Sequence, residues 1–169
     1  SGQVKYTLLA LTSDRFRSDL ELLEKTGRFR IIRLPARWQA GILQLFWGDG
    51  VETGVNLRFD LLKDDVPETV KARRNASQRF LQALLRRLIS RLKIDAVISA
   101  AIWYQQDLQW AYAAEQCGIP FVALHKENLV SGAGHQEFMR STVQEFGQFF
   151  GSLVIVHNDT MRDIFIDAG

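Results

Sequence analysis

The residues best suited to chemistry lie in one stretch, Ile119-Pro-Phe-Val-Ala-Leu-His-Lys-Glu-Asn128. It begins as an unbroken apolar run, which reads as a strand buried on both faces, and ends in four polar or ionisable residues. In a parallel α/β sheet the carboxyl ends of the strands are where ligands bind. His125, one residue past the apolar run, can donate to a sugar hydroxyl or a phosphate, or act as a base near neutral pH. It can equally cap a helix or fix a loop. Lys126 and Glu127 alternate in direction, so both cannot enter one cleft, and together they read as a solvated rim. Of the two, Glu127 has the sharper alternative, since a carboxylate can activate an acceptor hydroxyl.

Other groups share the same kind of position. Trp103-Tyr-Gln-Gln106 follows a strand at Ile94–Ala100, where aromatic rings can stack on sugar faces and amides can bond hydroxyls. Core packing accounts for one of the two rings without any ligand. Ser131-Gly-Ala-Gly134 leads into a helix whose amino terminus can bind an anion, but it lacks the spacing of a dinucleotide fingerprint and the lysine of a phosphate-binding loop. It reads as a connector. The three histidines have no close pairing and the one cysteine has no partner, so no metal ligand set is expected. No Gly-x-Ser-x-Gly elbow supports a serine hydrolase.

The elements that must position these groups alternate along the chain. Val4–Leu11 reads as a strand, and Thr12 or Ser13 can cap a helix with Phe16, Leu20 and Leu23 on one face. Gly27 ends that helix in a left-handed cap, and Phe29–Leu34 is a strand stopped by Pro35. Residues 36–64 fit a short helix followed by a hairpin or loop. Asp65 and Glu68 form a capping box for a long helix whose Phe80, Leu84, Leu88 and Leu92 make an apolar stripe. Beyond the Ile94 strand come a helix from Trp103 to Cys117, the opening strand, a helix from His135 to Phe150 and a strand at Ser152–Val156. Asn158 or Asp159 then caps a final helix carrying Met161, Ile164 and Phe165. This order predicts an α/β fold: a doubly wound, mostly parallel sheet with helices on both faces, residues 1–169 forming one domain.

The 169 residues can bury a substantial core, and a formal net charge of +2 does not by itself argue for nucleic acid. The positive charge is concentrated, however. Lys71, Arg73, Arg74, Arg79, Arg86, Arg87 and Arg91 lie on the long helix, a face that can sit on an anionic membrane surface or remain solvated. No helix-turn-helix, RNA-binding or zinc signature accompanies it, so no nucleic-acid partner is expected. The lone Cys117 suits a reducing cytoplasm.

Two segments carry a family resemblance. Glu115-Gln-Cys-Gly-Ile-Pro-Phe-Val-Ala-Leu-His125 resembles a segment of the amino-terminal domain of GT-B glycosyltransferases, especially family-four-like ones of bacterial surface-polysaccharide biosynthesis. Ser152–Gly169 resembles the last strand and helix of the same Rossmann-like domain. The resemblance covers about the last 75 residues. It implies the acceptor-binding half of a two-domain, nucleotide-sugar-dependent transferase, with His125 facing the cleft near the transferred sugar and Asn158 on the same rim. It further implies a nucleotide sugar as donor, no cofactor held by this domain, and a saccharide or lipid-linked acceptor. The partner would be a carboxy-terminal nucleotide-binding domain, with the whole enzyme cytoplasmic or peripheral at the inner membrane face. Relatives often place a glycine-rich turn after the first strand to touch the donor phosphates. Here Leu11-Thr-Ser-Asp-Arg15 stands there, and Arg15 is the group that can bind a phosphate in another way.

A chain ending where a helix would be capped reads as one domain of a larger protein, inactive alone. Two other readings stay open: a non-catalytic Rossmann-like adaptor, and a lobe of a sugar-nucleotide epimerase.

Overall fold

In a computed structural model of the chain, the structure describes residues 5–14, 16–48, 63–102, 105–125, 132–146 and 149–168. Five parallel strands form one sheet in the order β2-β1-β3-β4-β5. They are β1 (Tyr6–Leu11), β2 (Phe29–Leu34), β3 (Ala96–Ser99), β4 (Phe121–Leu124) and β5 (Leu153–Ile155). The helices are α1 (Arg17–Lys25), α2 (Ala36–Trp47), α3 (Glu68–Leu92), α4 (Gln105–Gln116), α5 (Ala133–Phe146) and α6 (Asp159–Ala168). This is the doubly wound Rossmann-like α/β fold that the alternation of elements predicts, with the winding direction reversing between β1 and β3.

Strand side chains alternate between the two faces, and the two faces are covered unequally. Leu9 and Leu11 of β1, Val97 of β3, and Phe121 and Ala123 of β4 join Leu81 and Leu85 of α3, Trp110 of α4, Val143 of α5 and Met161 and Ile164 of α6 in the main core. Ala111, Ala113 and Ala114 are fully buried there, and their small side chains let α4 lie close to the sheet. The opposite residues, Leu8, Ala10, Ile31 and Ile98, pack on Phe16 and Leu20 of α1. Among the described helices, α1 alone forms that second layer. The expectation that β4 is buried on both faces is therefore corrected: Phe121 and Ala123 are buried in the main core, whereas Val122, at the margin of the α1 layer, and Leu124, on the cleft beside α1, are half-buried.

Several boundaries differ from the sequence reading for physical reasons. The Asp65–Glu68 capping box does not form. Pro67 is the N-cap of α3, where its fixed φ suits the entry and its missing N–H costs nothing, while Glu68 bonds Lys71 instead. Neither Thr12 nor Ser13 caps α1, whose N-cap is Phe16 with no side-chain cap bond. Residues Ala36–Trp47 form a full three-turn helix rather than a short one, and residues 49–62 lie outside the described residues. Helix α5 takes in Ala133 and Gly134, two residues of the expected connector, and ends at Phe146, leaving Phe149 and Phe150 to pack on the core past its end. Helix α4 is described from Gln105, and the expected start at Trp103 lies outside the described residues. Gly27 and Gly118 adopt φ of +69° and +70°, the left-handed caps that close α1 and α4.

The apolar stripe of α3 is rotated from the one expected. Leu81 and Leu85 are buried, Leu84, Leu88 and Leu92 flank them, and Phe80 is 39% exposed. The stripe of fours starting at Phe80 runs along the edge of the buried face, because Ser77 and Gln78 occupy its centre one turn earlier. Truncating Leu85 to Ala is thus expected to cost about 3 kcal/mol, and truncating Phe80 about 1 kcal/mol, since the cavity term applies only where neighbours close over the site. Urea denaturation of the two variants checks this, and equal losses would contradict the rotation.

Candidate functional site

At the carboxyl edge of the sheet, a stretch of side chains is tied down by the fold itself. Thr12, just past β1, has a φ of +50°, unusual for a β-branched residue. Its backbone N–H donates to Gln39 Oε1 at 2.7 Å and its hydroxyl to the same oxygen at 2.6 Å. Gln39 is buried on α2. Next along, Ser13 N–H donates to the carbonyl of Leu34, and Asp14 Oδ1 accepts from the N–H of Ala36 at 2.9 Å, satisfying an open donor in the first turn of α2. The β1–α1 loop is thereby fastened to the start of α2. A left-handed turn, the conformation a glycine would supply, is made here by a threonine held in place by a glutamine.

The end of β3 is fastened similarly. Ser99 Oγ donates to Asp107 Oδ1 at 2.8 Å in the first turn of α4 and accepts from the N–H of Ala101. Ser77 and Gln109 form a further buried hydrogen bond between α3 and α4. Gln39, Ser77 and Gln109 border a cavity of about 10 Å³ between the helices. The amide nitrogens of Gln39 and Gln109 are buried and donate to no other described protein atom. Patterning does not reveal this polar seam, because glutamine and serine within helices ordinarily read as exposed.

Beyond those tethers a larger cleft opens, of about 280 Å³. One wall is α1, through Phe16, Asp19, Leu20 and Leu23; the other is the uncovered sheet, through Leu124 and Ile155. His125 and His157, at the ends of β4 and β5, close its upper edge. The cleft exists because α1 stops short of the last two strands, so an apolar strip of β4 and β5 faces it. A mostly apolar concavity with a few converging polar groups is the usual form of a small-molecule site.

His125 is only 1% exposed. Its N–H donates to the carbonyl of Ile155 at 2.9 Å, and its ring meets Phe165 of α6 edge-on, with centroids 5.7 Å apart. A ring emerging freely at the sheet edge is thus replaced by one at the boundary between cleft and core. Asn158 lies past β5 and is, of the two caps expected for the final helix, the one whose Oδ1 accepts from Met161 N–H, at 2.9 Å, so this side chain serves as the N-cap of α6. Arg15, Trp103, Tyr104 and Glu127 lie outside the described residues, as does Lys126. The structure adds His157, which is exposed and lines the same cleft as His125. The signal for it was its place after a strand, the argument that singles out His125.

Cys117 is an unpromising nucleophile. Burial pushes its thiol up from the ordinary value, with the Arg86 guanidinium pulling weakly the other way, and a thiol held protonated attacks slowly. No group of three or more His, Cys, Asp or Glu residues suited to a metal ion occurs among the described residues.

Comparison of the chain with family models gives no match, and no curated protein matches it significantly. The fold and cleft define its class: a doubly wound α/β domain with a concavity at the carboxyl edge of its last two strands.

The tether at Thr12 can be tested directly. A left-handed threonine costs roughly 1–2 kcal/mol, which two hydrogen bonds to Gln39 offset at about 1 kcal/mol each. Gln39→Ala is expected to destabilise by about 2 kcal/mol. Thr12→Gly should be near neutral alone and stabilising by about 1 kcal/mol in the Gln39→Ala background. A double-mutant cycle in denaturant reads the coupling, and simple additivity would mean that the two residues do not act together.

Proposed function

We propose that the chain is the acceptor-binding half of a nucleotide-sugar-dependent glycosyltransferase of GT-B arrangement, acting in polysaccharide or glycoconjugate synthesis. The observation carrying this reading is the cleft between α1 and the ends of β4 and β5, where two histidines meet an apolar wall. The segments bearing the family resemblance end at this cleft, one at His125 and the other running through His157. A saccharide presents apolar ring faces alongside hydroxyls, which an apolar wall edged by the exposed His157, with His125 buried behind it, suits. In this reading the donor is a nucleotide sugar held by a separate domain, the acceptor is a saccharide or a lipid-linked saccharide, and this domain holds no cofactor. The enzyme works in the cytoplasm or at the inner membrane face, and no described helix is long and apolar enough to cross a membrane.

His125 acts on the acceptor side of the cleft and Asn158 holds the start of α6 beside it. Arg15, Trp103, Tyr104 and Glu127 are the further contacts proposed, for phosphate, sugar faces and acceptor hydroxyl respectively. A second reading, a non-catalytic binding module, is favoured by the packing of the His125 ring against Phe165, which suits a structural histidine as well.

Sugar transfer separates the two. The 169-residue chain alone should give no measurable transfer, and a chain extended through a nucleotide-binding domain should give it. In that longer protein His125→Ala should lower kcat of the folded enzyme by about a hundredfold, the scale of a lost acid–base group, over and above the lower melting temperature that truncating a buried ring brings. An unchanged kcat accompanied by a lower melting temperature would make His125 structural, and turnover by the chain alone would overturn the division into halves.

A further inference from the structure

Helix α2 packs Ile42, Leu43, Phe46 and Trp47 inward but turns two other large apolar side chains away from the core. Gln39 is buried and bonded to Thr12, while the neighbouring Trp38 is 60% exposed and Leu45 is 71% exposed. Trp38 and Leu45 are seven residues apart and so share one face of the helix. Gly41 lies between them on the exposed surface, with open space where a β-carbon would point, so the face is flat at its middle. This orientation is imposed rather than slack. Rolling Trp38 inward would break the Gln39 tether and lift the buried Trp47 out of its cluster with Val66 and Val70.

The neighbourhood of that face is positive. Phe46 of α2 meets Phe80 of α3 with ring centroids 5.4 Å apart, so the two helices lie side by side there. Arg73 and Arg87 stand seven residues either side of Phe80, on the same face of α3, and both are exposed. Helix α2 contributes Arg37 and no acid. Helix α3 contains seven cations and one carboxylate, Glu68, which is taken up by Lys71 at 2.7 Å.

We propose that this face is a docking surface for an anionic lipid bilayer, with Trp38 and Leu45 entering the headgroup boundary and the arginines of α3 lying on the phosphates. A tryptophan and a leucine raised on a helix among arginines are the groups that an interfacial helix uses. The charge rules out the nearest competitors. A second copy would bring cations against cations, and leucine has neither a stacking face nor a donor to offer a nucleic acid. The inference does not rest on the transferase reading, since it concerns a different helix and a different kind of ligand. Because the Gln39 tether ties α2 to the end of β1, docking would hold the carboxyl edge of the sheet close to the bilayer.

Co-sedimentation of the 169-residue chain with vesicles tests the proposal. Vesicles of phosphatidylcholine with about a third phosphatidylglycerol should bind at least about tenfold more protein than pure phosphatidylcholine, and binding should fall steeply as salt rises from about 0.05 to about 0.5 M. Tryptophan emission should shift to the blue on binding, and Trp38→Phe should abolish the shift. Leu45→Glu, at an exposed position that does not threaten folding, should reduce binding about tenfold, as should Arg87→Glu. Failure to bind anionic vesicles, equal binding to neutral ones, or unaltered binding by Leu45→Glu would overturn the proposal. So would duplex DNA producing the same Trp38-dependent shift.

Discussion

The interaction on which most of this architecture depends is one amide oxygen accepting two hydrogen bonds. Gln39 Oε1 holds both the backbone and the hydroxyl of Thr12, and so fixes the turn at the end of β1, the rotation of α2 and the distance between them. Without it a threonine has little reason to remain at a φ of +50°. The direction of influence is unusual for this class of fold, where the β1–α1 turn is commonly freed by glycine to approach a ligand. Here Ser13 and Asp14 fasten the turn to residues 34 and 36 as well, so its polar groups are committed to the protein.

The unequal layering follows from the order of connections. Among the described helices, α3 to α6 crowd one face of the sheet and only α1 packs on the other, toward the β2 side of the ends of β4 and β5. The cleft lies between α1 and those two strand ends, with Leu124 and Ile155 as its apolar wall. The unequal layering explains why His125 sits between two environments: its neighbour Leu124 faces the thin layer, and its own ring turns toward Phe165 in the thick one.

The fold was largely legible in the sequence because it depends on redundant signals. The second strand was read to its observed limits, Gly27 and Gly118 marked real helix ends, and Phe16 with Leu20 marked the buried face of α1. What failed were choices between near-equivalent local options. The Asp65–Glu68 pair had the right spacing for a capping box but Pro67 took the cap, and an i, i+4 row beginning at Phe80 is nearly as apolar as the buried row through Leu81 and Leu85. The site was less legible. A strand-end histidine can be placed at an edge by pattern alone, but whether its ring faces water or a phenylalanine depends on a helix forty residues further on. Nor does any periodicity announce that Gln39 turns inward and Trp38 outward, since that reversal is decided by a hydrogen bond to a residue twenty-seven positions earlier.

The pairing of β1 has a bearing on how the chain comes into being. Its one edge meets β2 after a short excursion, but its other edge meets β3 eighty-eight residues later, where Leu8 lies opposite Ala96, Thr7 N–H donates to the Asp95 carboxylate and the Thr7 carbonyl accepts from Asp95 N–H. At ribosomal speeds of about 5–20 residues per second, β1 waits roughly 4–18 s with Leu8, Leu9 and Ala10 unpaired on that side. During that interval the nascent chain presents an apolar strand edge that only later sequence can close. Its yield in a cell should therefore depend on chaperones that shield such edges more than on the stability of the finished domain.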